Sequence, residues 1–160
     1  MAQFHIRKAI QSDKDSIVKL WDDLMLYHRS LDSRFVADPD GRRKYRTHAQ
    51  EMIRSGSCQI LVAENIENSE IVGYLMGEIQ SRPPSALPGV YGFISDIFVS
   101  ELWRQQGVGK ALFFEMRCWF QLKTATAIEL YVAYANPAAT HFWTAMGLNP
   151  FLTLMHLDLD

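Results

Sequence analysis

Cysteine is scarce in this chain: Cys58 and Cys118 are the two among 160 residues. That favours free thiols, with a disulfide as the lesser alternative. One thiol in an expected strand and one in an expected helix suit free, buried cysteines in a reducing cytosol. The five histidines form no H-x-x-x-H pair and neither cysteine has ligand spacing, so no metal site is expected. No apolar run reaches the roughly 18 residues that a membrane span needs. The opening Met1-Ala2-Gln3-Phe4-His5-Ile6-Arg7 lacks the apolar core of a signal segment. A cytoplasmic protein with no membrane partner is therefore expected. Charge of one sign is also missing: 16 Lys and Arg against 18 Asp and Glu give a net charge of −2. That offers no electrostatic reason to expect nucleic acid. No repeat or low-complexity tract is present. With 48% hydrophobic residues, the length suits one domain spanning 1–160.

The periodicity sets out the order of elements. A short strand opens at 4–8, and Ser12 or Asp13 can cap the helix that follows. Ile17, Leu20, Trp21, Leu24 and Met25 share one face of that helix, and Tyr45, Ala49, Met52 and Ile53 repeat the spacing in a second, closed by Ser55-Gly56. Residues 59–64 and 71–79 read as strands joined by the turn-rich Glu67-Asn68-Ser69, an antiparallel hairpin. Pro83, Pro84 and Pro88 make 81–89 an exposed loop, since proline lacks the amide donor of regular structure. Strands follow at 92–99, 128–133 and 151–157, with helices starting near 108 and 137. The order β-α-α-β-β-β-α-β-α-β predicts a mixed, mostly antiparallel α/β sheet of six to seven strands with helices on both faces.

The chemistry is concentrated where strand 92–99 enters Arg104-Gln105-Gln106-Gly107-Val108-Gly109-Lys110 and a helix with Val108, Leu112, Met116, Trp119 and Phe120 on one side. A glycine-bearing turn at a helix start exposes a row of free N–H groups where the helix dipole favours negative charge. It is an anion cradle suited to a phosphate or pyrophosphate. A P-loop is excluded, because Arg104 and Ala111 stand at its first Gly and its Ser/Thr positions. A dinucleotide fingerprint is excluded too, because Leu112 occupies its third Gly. The pattern present is R-x-x-G-x-G directly after a strand ending in Val.

That pattern resembles the coenzyme A signature of the GCN5-related N-acetyltransferases. The segment Asn136-Pro137-Ala138-Ala139-Thr140-His141-Phe142-Trp143-Thr144-Ala145-Met146-Gly147-Leu148 resembles the family's second landmark, an Asn opening a helix that closes in a Gly-apolar pair. The element order matches across nearly the whole chain. The resemblance implies acetyl-CoA as co-substrate and a primary amine of a small molecule as acceptor, attacking directly in a ternary complex. It implies that strands 92–99 and 128–133 splay apart around the pantetheine arm. The amides of Gln105, Gln106, Gly107, Val108, Gly109 and Lys110 would hold the pyrophosphate, with positive charge added by Arg104 and Lys110. The main chain of Ile97, Phe98 and Val99 would pair with the arm, and Val99 N–H or a neighbour would polarise the thioester oxygen. Asn136 would hydrogen-bond the arm, although capping the helix begun at Pro137 is an equally natural role.

The acid and base positions depart from the family pattern. Ser95 stands where a Glu is common, four residues before Val99, and a hydroxyl is a poor base. Asp96 is the candidate base, although strand alternation turns it to the face opposite Val99 unless a bulge re-aims it. Glu78 on a neighbouring strand is the second candidate. Trp143 stands where relatives carry a Tyr acid and reads as wall; Tyr134, or failing it Tyr131, is the candidate acid. By the resemblance, the first two helices and their joining loop cover the acceptor. Asp22, Asp23, Tyr27, His28, Asp32 and Asp38 there suit a cationic substrate, or equally form a solvated helix face and turn caps. Two rivals stay open: a degenerate acyl-CoA-binding regulatory module, and a peptide or protein N-acetyltransferase. The apolar stretch 151–155 could pair two copies into a homodimer, and a buried strand would look the same.

Overall fold

The structure, a computed structural model, describes residues 3–36, 38–83 and 89–159. Five strands form one sheet in the order β1(Phe4–Lys8), β2(Cys58–Asn65), β3(Ile71–Ser81), β4(Val90–Val99), β5(Ile128–Leu130). The first four run antiparallel to their neighbours, and β5 runs parallel to β4. The helices are α1(Lys14–Leu31), α2(Gly41–Arg54), α3(Val108–Leu122) and α4(Pro137–Ala145). This is the expected mixed sheet with helices on both faces.

Alternation along β2 shows how the sheet sorts its side chains. Ile60 and Val62 join the core under α1 and α2, with Ile17, Leu20, Leu24, Tyr45, Ala49, Tyr74, Met76 and Phe98. Leu61 and Ala63 join the opposite core, with Leu75, Ile94, Val108, Leu112, Phe113, Met116, Phe120 and Trp143. Gly92 lets α3 approach closely, since a Cβ there would lie 2.5 Å from the Phe120 ring. Asp13 does not cap α1. Its carboxylate takes the Ile10 N–H and both terminal nitrogens of Arg7, at 2.8, 2.7 and 2.9 Å, and so ties β1 to the helix start.

Five expectations are corrected. The sheet has five strands among the described residues rather than six or seven. Residues 151–159 form no strand: their backbone bonds to no other element among the described residues. An apolar run satisfies the side-chain requirement of a strand, but a strand also needs a ladder partner. The fifth strand stops at Leu130 instead of 133, where its three-rung ladder with β4 ends. Cys118 is exposed, whereas Cys58 is buried as expected, and both are free thiols. The proline loop is shorter than read, as β3 runs to Ser81 and β4 starts at Val90; residues 84–88 of it lie outside the described residues. No helix among the described residues is long and apolar enough to cross a membrane.

Candidate active site

The turn between β4 and α3 carries the strongest feature. Gly107 stands at the helix N-cap with φ +87°, a left-handed conformation that favours glycine, and no side chain caps the helix. Its carbonyl accepts the Ala111 N–H at 2.9 Å, so the helix ladder begins there. The six N–H groups of residues 105–110 donate to no acceptor among the described residues. A Cβ built on Gly107 meets nothing within 4 Å. The cradle is therefore open and unfilled by protein, and its donors suit a pyrophosphate. Gln105 also holds a positive φ, +60°, which curls the turn around the same point. Lys110 is exposed, its ammonium 5.7 Å from the Phe114 ring.

Arg104 points elsewhere. Its Nε donates to the Val99 carbonyl at 3.0 Å, and its guanidinium lies 5.3 Å from the Phe98 ring centre and 5.6 Å from that of Tyr27. It lines a cavity of about 480 Å³ with Asp23, Tyr27, Phe98, Ser100 and Glu101, between α1 and the end of β4.

The splay has a local cause. β4 meets β5 over three rungs, Gly92 with Ile128, Phe93 with Glu129 and Ile94 with Leu130. On the other side the β3 register passes from Gly77–Ile94 to Met76–Asp96, leaving Ser95 as an extra, exposed residue. Such a bulge bends its strand and increases the local twist. Beyond it β4 has no β5 partner among the described residues. Ser100 N–H donates to Val72 O at 2.9 Å, so antiparallel alternation turns the N–H groups of Ile97 and Val99 away from β3 and into the gap. Phe98 takes the other parity and is buried under α1.

Asp96 shares the parity of Phe98 and faces α1 and α2. The bulge precedes it and changes the face of what comes before, so Asp96 remains opposite Val99, as alternation requires. Its Oδ2 accepts a hydrogen bond from Tyr45 Oη at 2.9 Å, and Tyr45 Oη lies 3.2 Å from Tyr74 Oη. Burial raises the Asp96 carboxyl above its ordinary value, against the opposing pull of the Tyr45 hydrogen bond and of His48 and His28. Burial in turn holds His28 below its ordinary value, opposed by Asp96.

Asn136 is buried, and its side-chain oxygen caps α4 by accepting the Ala139 N–H at 3.0 Å. Its amide nitrogen donates to no acceptor among the described residues, so a capping role leaves it free for a ligand. Trp143 is core, packed edge-on against Phe113 and Phe142. Tyr134 is fully exposed in the turn before Asn136; Tyr131 is exposed and edge-on to Phe93. Glu78 sits on β3 opposite Phe93 and accepts from Gln80, two rungs from Asp96 on that strand. Asp22 pairs with Arg42, Asp32 with Arg34 and Asp38 with Lys44, so three of the candidate acceptor carboxylates are already matched. Among the described residues no group of three or more His, Cys, Asp or Glu is placed to hold a metal ion.

Sequence reasoning placed Tyr45 on a helix face and missed its bond to Asp96. The available signal was chemical: a Tyr at a fully buried stripe position needs a partner for its hydroxyl.

The sequence profile of the Acetyltransferase (GNAT) family matches residues 19–148. No curated protein sequence matches the chain. Among solved structures, a tetramutant of the BH1408 protein from Bacillus halodurans superposes with a TM-score of 0.87 at 22% identity, covering 97% of this chain and 99% of that one. The aminoglycoside 6'-N-acetyltransferase AAC(6')-Ih from Acinetobacter baumannii gives 0.76 at 15% identity, covering 98% of each chain. The aminoglycoside N-acetyltransferase AAC(6')-Iy in complex with CoA also gives 0.76 at 15% identity, covering 98% of this chain and 94% of that one. With the amide cradle, the splayed strands and a profile spanning most of its length, this chain belongs to the acetyltransferase (GNAT) family and is an acetyl-CoA-dependent acyltransferase.

Proposed function

We propose that the acceptor is a primary amine of a small cationic molecule and that Asp96 is the base. The observation that carries this reading is the place of Asp96. It lies on the α1/α2 face at the start of the strand segment whose N–H groups enter the gap. The same face holds the cavity lined by Asp23, Glu101 and Arg104, whose two carboxylates form no salt bridge among the described residues and outnumber its one guanidinium. An excess of carboxylate over guanidinium favours a cationic acceptor. Several structural neighbours are described as aminoglycoside acetyltransferases, one of them in complex with sisomicin, which fits an amine-rich metabolite.

The residues divide the work as follows. The amides of 105–110 hold the pyrophosphate, and Asn136 Nδ2 and the main chain of Ile97, Phe98 and Val99 hold the pantetheine arm. When bound, acetyl-CoA supplies an activated thioester carbonyl. Val99 N–H, or its neighbour Ile97 N–H, takes the developing negative charge on that oxygen. Asp96 removes one proton from the substrate ammonium through water, since a free amine with a pKa near 10 is mostly protonated at pH 7. The freed lone pair forms the C–N bond as the C–S bond breaks. Tyr134, exposed two residues before Asn136, gives its proton to the departing sulfur and is reprotonated through water by the second proton that the new amide nitrogen sheds. Arg104, from the cavity wall, and Lys110 add positive charge beside the cradle. Two copies pair through residues 151–159, the whole 1–160 chain acts as one domain, and the enzyme works in the cytosol without a nucleic-acid partner.

The test is a thiol-release screen with acetyl-CoA against diamines, amino sugars including sisomicin, lysine and short peptides. A small cationic amine should turn over, and Asp96→Asn should lower kcat by about 100-fold or more, within the range for a general base. Turnover of peptides alone, or cofactor binding without any turnover, would sink the proposal.

A further inference from the structure

We infer that Tyr45 is a positioning residue for acyl transfer: its hydroxyl fixes Oδ2 of Asp96 and leaves Oδ1 to take the proton. The inference rests on Asp96 acting as base and adds a residue from α2, 51 positions away in sequence, to the reaction.

Hydrogen bonding argues for it first. Tyr45 Oη carries one proton and has two neighbours, Asp96 Oδ2 at 2.9 Å and Tyr74 Oη at 3.2 Å. The shorter, charge-assisted bond takes that proton. Tyr74, completely buried on β3, then donates to Tyr45, and each bond polarises the next. Asp96 Oδ1 makes no hydrogen bond among the described residues, so the pair of tyrosines occupies one carboxylate oxygen and frees the other. The second argument is rigidity. Trp21 stacks on the Tyr45 ring with centres 4.4 Å apart and planes 11° apart, so the hydroxyl is held from α1 as well as α2.

Chemistry at the site agrees. Burial raises both phenols far above their ordinary value, so they remain donors wherever the enzyme is folded. The titratable groups facing Asp96 are His28 from α1, His48 and Tyr45 from α2, and Tyr74 from β3. Against the histidines, the Tyr45 bond is the stronger of the influences that favour the charged carboxylate. Losing it raises the Asp96 pKa.

The experiment uses the full chain and two readouts. The Asp96 carboxyl is titrated by carbon-13 NMR, its resonance assigned by loss in Asp96→Asn. Thiol release from acetyl-CoA is followed against pH with 1,4-diaminobutane or sisomicin as acceptor. In Tyr45→Phe, which keeps the stacked ring, the carboxyl midpoint and the acid limb of kcat/KM should rise together by about one pH unit, as expected for losing a hydrogen bond to a charged group. kcat should fall about tenfold, with KM for acetyl-CoA unchanged. A midpoint and limb that stay put while Asp96→Asn is inactive would overturn the role of Tyr45 alone. An Asp96→Asn variant with the parent rate would overturn the base assignment instead, and the inference with it. If Tyr45→Phe fails to fold, Tyr74→Phe breaks the second link, and the same upward movement, smaller in size, is required.

Discussion

Gly107 is where one residue decides the most. At φ +87° a side chain costs about 1–2 kcal/mol of backbone strain, and its Cβ would enter space that no protein atom fills. Gly107→Val should therefore lower the melting temperature by a few degrees and abolish the further stabilisation that coenzyme A gives the parent protein. Thermal unfolding with and without coenzyme A reads both effects separately. A retained cofactor shift would show that the cradle lies elsewhere, because no internal clash is available to explain a loss. The two glycines and the Asn-Pro pair were legible in the sequence because backbone demands restrict the residue type. Side-chain direction was not. Arg104 was read as charge for the cradle, yet its guanidinium settles over Phe98 and Tyr27, where two aromatic faces and the Val99 carbonyl offer closer partners. The Tyr45–Asp96 bond was hidden for a related reason: it joins residues whose proximity is a product of the finished fold.

At the scale of the element, β4 determines whether a cofactor gap exists. Ser95 is the extra residue, and removing it would let Ile94 and Asp96 follow one another in regular alternation opposite Gly77 and Met76. Both residues would keep their present faces, Ile94 toward α3 and Asp96 toward α2. The strand would straighten, and β5 could continue to pair past Leu130. Deletion of Ser95 is expected to leave a folded protein with near-parent stability in urea and to weaken coenzyme A binding at least tenfold by calorimetry. Unchanged affinity would mean that the bulge does not open the gap. Strand existence and order were legible here because period-two apolar patterns mark strands well. The bulge was raised only as a device to re-aim Asp96. Its position fell one residue earlier, where a small, exposed serine gives no packing signal.

For the molecule as a whole, the open question is what covers residues 151–159. Phe151, Leu152, Leu154, Met155, Leu157 and Leu159 are each 78–88% exposed, a density of apolar surface that monomers seldom leave in water. The sheet has an open edge as well, since among the described residues β5 pairs with β4 alone. An unpaired apolar segment and an unpaired edge on one chain are complementary when two copies meet. In the proposed dimer each segment would add to the partner's sheet, and the exchange would close as a twofold. Burying even half of these side chains, at about 1.5–3 kcal/mol apiece, would hold a dimer together at micromolar concentration. The strand expected at 151–157 would then form in the pair, gaining a ladder that the described residues of one chain do not give it. Light scattering coupled to size exclusion should find twice the chain mass for the full sequence and a single mass for a variant stopped after Pro150. That variant should retain its coenzyme A thermal shift, because the cradle and the gap draw nothing from these residues. A full chain that elutes as a monomer would reject the pairing and leave the segment without a partner, and a truncation that also lost cofactor binding would place 151–159 in the site.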